Sequence, residues 1–161
     1  MKSTQNQTQV VNVEKIIQAI RILRAMRLDL LPKLPDNPIE RGRVLRELEN
    51  EIIVQLGIND YLTVTAINAL IEIFDKPFAD SVYLSVMQDL EQLSKLKLQE
   101  LRLELRSLYE LKLTAKLQRL PPDEFKQHVQ VLKSLRFRFD DMLKHWYKIY
   151  EAGKPVVHPL A

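Results

Sequence analysis

The chain has 161 residues, enough for one domain with a sizeable core, and a modest net charge of +3. It contains no cysteine, which excludes disulfides, thiolate metal sites and a cysteine nucleophile. Three glycines leave little room for a phosphate-cradling loop, and no run of about 18 apolar residues marks a membrane span.

Scarce glycine, with abundant Leu, Glu, Lys, Arg and Gln, predicts an all-α chain: a single-domain bundle of about five helices. Residues 1–11 are polar, lack the apolar core of a signal peptide, and read as a flexible tail of a cytoplasmic protein. The bundle is expected over residues 12–153. Asn12 caps a first helix, Val13–Leu31, whose Val13, Ile16, Ile17, Ile20 and Leu23 share one face. Pro32 stops it. Asn37-Pro38 starts a second helix and Gly57 ends it, with Arg43 and Glu47 placed to pair across one turn.

The third segment, Asp60 to Phe74, is apolar on nearly every side and reads as a buried central helix. Pro77 then opens a long helical stretch to Leu120, roughly 60 Å if unbroken. Part of it, LKLQELRLELRSLYELKL from Leu96 to Leu113, alternates with the two-residue period of a strand. No β-branched residue occurs between Val86 and Thr114, and propensity therefore favours a helix, packed on two sides or broken near Ser94. Pro121-Pro122 turns the chain into a last helix, Pro122 to Ala152, with Asp123 and Glu124 in its first turn. The proline-rich residues 154–161 are expected to be extended.

Catalytic chemistry finds little footing. His128, His145 and His158 form no H-E-x-x-H pattern, and structural or surface roles explain them. Asp123-Glu124 is explained by the helix dipole, and Asp140-Asp141 by a solvated face. The expectation is a non-enzymatic protein with no catalytic or metal-binding residues, no cofactor and no small-molecule substrate.

The last segment holds six of the chain's eleven aromatics, interleaved with cations. On a helix, Lys126, Lys133, Phe137, Lys144 and Lys148 would share one outer face, with Arg136 and Arg138 flanking it. Such a face neutralises phosphates while Phe137 stacks on a base. The competing reading packs Phe137 on another helix and leaves the lysines in solvent. Arg21, Arg24 and Arg27 of the first helix form a second basic candidate, with ion pairs to Glu47, Glu49 and Glu51 as the plainer account.

The run Leu135-Arg136-Phe137-Arg138-Phe139, followed by Met142, Trp146-Tyr147, Tyr150 and Gly153-Lys154, resembles the end of the small helical subunits of CRISPR effector complexes. That resemblance implies a helical bundle that lines a nucleoprotein filament without catalysis. The resulting expectation is a subunit of such an assembly, holding single-stranded RNA or DNA, or an RNA–DNA hybrid, by its backbone. It would pack against other protein subunits, including further copies of itself, and have no membrane partner. The alternative is a helical protein–protein adaptor or assembly chaperone that never touches nucleic acid.

Overall fold

The computed structural model describes residues 8–75, 80–107 and 110–151. The expected C-terminal tail, most of the N-terminal one, Pro77, Ala152 and Gly153 lie outside these residues. Among the described residues the fold is mixed α/β, with five α-helices and one five-stranded sheet, which corrects the all-α bundle expected from composition.

The first half is helical where capping chemistry marks it. Helix α1 (Val13–Leu30) starts at Asn12, whose side chain accepts from the Lys15 N–H. A short 3₁₀ turn, Leu31–Lys33, comes next, at Pro32. Helix α2 (Pro38–Leu56) starts at Asn37, which accepts from the N–H groups of Ile39 and Glu40. Helix α3 (Tyr61–Phe74) starts at Asp60, which accepts from both the N–H and the hydroxyl of Thr63. The same Thr63 hydroxyl oxygen accepts from Asn12 N–H, joining the starts of α1 and α3. Helix α4 (Ser81–Leu93) ends at Ser94. The apolar α3 lies in the middle, in contact with α1, α2 and the sheet.

In the second half both expected helices are cut short: the stretch expected to run to Leu120 breaks at Ser94, the end of α4, and the chain beyond it forms strands. Strand β1 (Gln9–Val10) runs parallel to β2 (Leu98–Ser107), and β2 pairs antiparallel with β3 (Glu110–Leu117). Helix α5 spans only Pro122–Ser134, and the chain then forms β4 (Arg138–Asp140) and β5 (His145–Glu151). The sheet order is β1-β2-β3-β5-β4, antiparallel apart from the first pair. Alternation decides against propensity in β2 and β3: Leu101, Leu103, Leu111 and Leu113 are all fully buried. Only a strand puts those positions on one face while Arg102, Glu104 and Lys112 take the other. Burying each leucine is worth about 1.5–3 kcal/mol before entropy, more than the ~1 kcal/mol per-residue span of β propensity.

Helix α3 packs on β2 and α4 on β5, while α1 and α2 pack on α3. A polar network ties the layers together: Asp89 of α4, itself buried, accepts from Lys148 Nζ at 2.7 Å and from Tyr150 Oη at 2.6 Å, both on β5. Burial and the Asp89 charge hold the Tyr150 phenol well above its ordinary range. No helix is long and apolar enough to cross a membrane among the described residues.

Candidate nucleic-acid interface

The outer stripe expected on one continuous helix is distributed over α5, two turns and two strands. Lys126 and Lys133 are exposed on α5. Arg136 is exposed in the turn after α5, Arg138 on β4, and Lys144 in the β4–β5 turn. Phe137 departs from its expected place, being only 4% exposed, and cannot stack on a base. It closes α5: Phe137 N–H returns to Leu132 C=O at 3.0 Å, and Arg136 N–H to Lys133 C=O at 2.9 Å. With Arg136 at φ 70°, this is the two-bond ending that usually carries a glycine, and Phe137 buries itself with Leu132. Lys148 is likewise no free cation, because it serves Asp89 and lies 5.3 Å from the Tyr150 ring centroid.

The arginines of α1 are mostly committed as well. Arg24 grips Asp80 with Nε and Nη2 donating to both carboxylate oxygens. That pairing raises the Arg24 pKa and lowers that of Asp80. Arg27 is 9% exposed and its Nε donates to Phe74 C=O. The expected pairs from these arginines to Glu47, Glu49 and Glu51 do not form; the Arg43–Glu47 pair does, at 2.8 Å. Arg21 stays exposed at a polar hollow of about 740 Å³ between α1 and the end of α4, whose charged residues carry both signs.

A different arrangement collects the remaining lysines. Where α5 meets the end of the sheet there is a groove of about 510 Å³. Leu117, Val129, Phe125, Phe139 and Trp146 form its walls, and Lys116, Lys133 and Lys144 stand around it. Phe125 and Phe139 are nearly half exposed, at 46% and 45%, whereas Trp146 is 8% exposed and packs against Phe139 at a tilt of 59°, with ring centroids 5.2 Å apart. Two half-exposed rings thus line the groove beside a buried third one.

Local chemistry explains each position. Asp140 accepts from Met142 and Leu143 N–H, and Lys144 N–H returns to Asp140 C=O at 2.7 Å. The bonds from Leu143 and Met142 N–H lower the Asp140 pKa, and with the Lys144 bond they fold residues 141–144 into a turn that leaves Lys144 left-handed at φ 57° beside the groove. The other wall is anchored by His128, 8% exposed, which accepts from Lys97 N–H at Nε2 and donates from Nδ1 to Glu124 C=O. That histidine holds α5 against the start of β2. Lys116 and Leu117 joined no site in the sequence, because their place depends on β3 being a strand. The alternation Trp146, Lys148, Tyr150 was the available signal for β5, and it was absorbed into a helical pattern.

The opposite face of the sheet carries Glu100, Arg102, Lys112, Lys116, His145 and Tyr147, with Lys112 Nζ 5.4 Å from the Tyr147 ring centroid. His145 has its pKa lowered, first by burial and then by Lys112, with Arg102 adding to the repulsion and Asp140 and Glu100 opposing it. Among the described residues no three His, Cys, Asp or Glu side chains converge as a metal site would require. Compared with protein-family models, curated proteins and solved structures, the chain matches none.

Proposed function

We propose that this protein is a non-enzymatic cytoplasmic subunit of a nucleoprotein assembly, which holds single-stranded nucleic acid in the groove between α5 and the β4–β5 hairpin. The observation that carries this reading is the coincidence of half-exposed Phe125 and Phe139 with Lys116, Lys133 and Lys144. Aromatic faces accept any base, and lysines beside them neutralise the neighbouring phosphates without reading sequence. Arg136, Arg138 and Lys126 extend the positive charge from the groove along the turn and α5. Support comes from this groove and not from the likeness to small CRISPR effector subunits. That likeness presumed a helix over residues now placed in β4 and β5.

Trp146 is the only tryptophan and lines the groove, so its fluorescence reports occupancy directly. Titration with oligo(dT) and oligo(rU) is expected to quench it. The logarithm of the affinity should fall with log salt at a slope of about −2, for three lysine contacts at ~0.7 each. Phe139→Ala should cost roughly 1–3 kcal/mol of binding, and Lys133→Ala with Lys144→Ala should flatten the salt slope. Absence of quenching at low salt overturns the reading.

The adaptor alternative has its own support. Met142 and Leu143, 91% and 59% exposed, sit at the hairpin tip beside Lys144, and the groove walls are mainly carbon. An acidic amphipathic segment of another protein fits the same features. Quenching of Trp146 by such a peptide, with no response to oligonucleotides, selects the adaptor.

A further inference from the structure

The β4–β5 turn is an apolar projection on a basic surface. Met142 is the most exposed large apolar side chain among the described residues, and Leu143 beside it is more than half exposed. Asp140 accepts from both of their N–H groups, so their backbone is already fixed before any partner arrives. Lys144 follows the pair, Arg138 precedes it on β4, and Lys116 and Lys133 stand around the adjoining groove. Asp140 and Asp141 oppose these four cations, and the surroundings of the projection stay net positive.

A concavity of the opposite character lies in the helical layer. Where α1 passes α2, Met26, Leu30, Val44 and Leu48 line a cleft of about 350 Å³. Asp29, Glu47 and Glu51 stand around it against one cation, Lys33. Glu47 already pairs with Arg43, whereas Asp29 and Glu51, like Arg138 and Lys144, enter no ion pair among the described residues. An apolar floor inside an acidic rim complements an apolar projection with basic flanks.

We infer that the β4–β5 turn of one copy seats Met142 and Leu143 in the α1–α2 cleft of a second copy. The projection leaves the sheet at its β4 edge, whereas α1 and α2 pack on α3, which lies on β2 towards the other edge. One copy therefore cannot fill its own cleft. After the first contact, the pair still carries one unfilled cleft and one unseated projection. Such a head-to-tail contact extends into a row of copies, or closes as a ring where its rotation permits. It requires neither Phe125 nor Phe139, so it stands or falls apart from the nucleic-acid reading.

Sedimentation equilibrium of the full chain should give a mass that climbs with concentration past two chain masses of 18.9 kDa. Met142→Asp/Leu143→Asp spoils the projection, and Asp29→Lys/Glu51→Lys reverses the rim of the cleft; all four positions are exposed, so the fold should survive both changes, as far-UV circular dichroism will show. Each double variant alone should associate about tenfold or more weakly, through lost apolar cover in the first and like-charge contact in the second. Mixed in equal amounts, the two variants should form a pair and nothing larger only if each supplies what the other lacks. The pair must therefore join the intact cleft of the projection variant to a projection facing its native rim, with the affinity of the native contact. A chain that stays monomeric at all concentrations overturns the inference. So does association that survives either double variant, or a mixture that forms no pair.

Discussion

Helices α2 and α5 end alike. At the end of α2, Gly57 N–H returns to Val54 C=O and Ile58 N–H to Ile53 C=O, with Gly57 at φ 65°. At the end of α5, Arg136 and Phe137 make the same two bonds to Lys133 and Leu132, with Arg136 at φ 70°. Glycine takes this conformation without steric cost, whereas a side chain there costs on the order of 1 kcal/mol. In both endings the next residue enters the core, Ile58 after α2 and Phe137 after α5, but at α5 no glycine relieves the left-handed residue and that burial, with the entry into β4, must hold it. Both helices stop with tertiary support, and only α2 adds a residue suited to the left-handed conformation.

The largest test of this contrast lies in β2. Leu103→Ala should cost about 3 kcal/mol in denaturant unfolding, because Leu103 is fully buried, while Glu104→Ala stays within about 0.5 kcal/mol. A cost repeating every second residue marks a strand; one shared by residues three or four apart would restore the helix. A smaller effect separates the two endings. Gly57→Ala should cost about 1 kcal/mol, since a Cβ there meets only Lys15 Nζ at an ordinary 3.7 Å and the penalty is conformational. Arg136→Gly should instead gain about 0.5 kcal/mol, the released strain outweighing the entropy glycine adds to the unfolded chain. If Arg136→Gly destabilises, the arginine makes contacts that outweigh its backbone conformation.

The smallest expected effect is a pH dependence confined to the sheet half. His145 has a folded pKa below its ordinary 6.5, so the unfolded chain binds the proton more readily. Its contribution is fully present above pH 6.5 and is lost as pH falls towards the lower folded value. Thermal unfolding between pH 7 and pH 5.5 should show this loss, and His145→Asn should remove it. Charged groups around the histidine set the direction: Lys112 and Arg102 repel the imidazolium, and Asp140 and Glu100 attract it.

These contrasts explain what the chain disclosed in advance. Asn12, Asn37, Gly57 and Pro38 act through their own backbone neighbourhood, and the helices they bound were legible to within a residue or two. The leucine alternation of β2 and β3 was visible too. It lost to propensity because its value lies in a helical layer that no single segment reveals. The candidate site was legible only as an inventory of lysines and aromatics. Lys133, Lys144 and the aromatic partners Phe125, Phe139 and Trp146 do share a surface, but Phe137, Lys148, Arg24 and Arg27 are spent on the fold. Lys116 could not be found without the strand that carries it.

The Asp89 network has a consequence for synthesis on the ribosome. Its acceptor lies in α4, and both donors come 59 and 61 positions later, on the last described strand. Until Lys148 and Tyr150 emerge from the exit tunnel, the helical layer holds a carboxylate with no partner on the side where β5 will lie. A nascent chain halted before Trp146 should therefore stay open to proteases, and the final stretch of translation should seal it in one cooperative step.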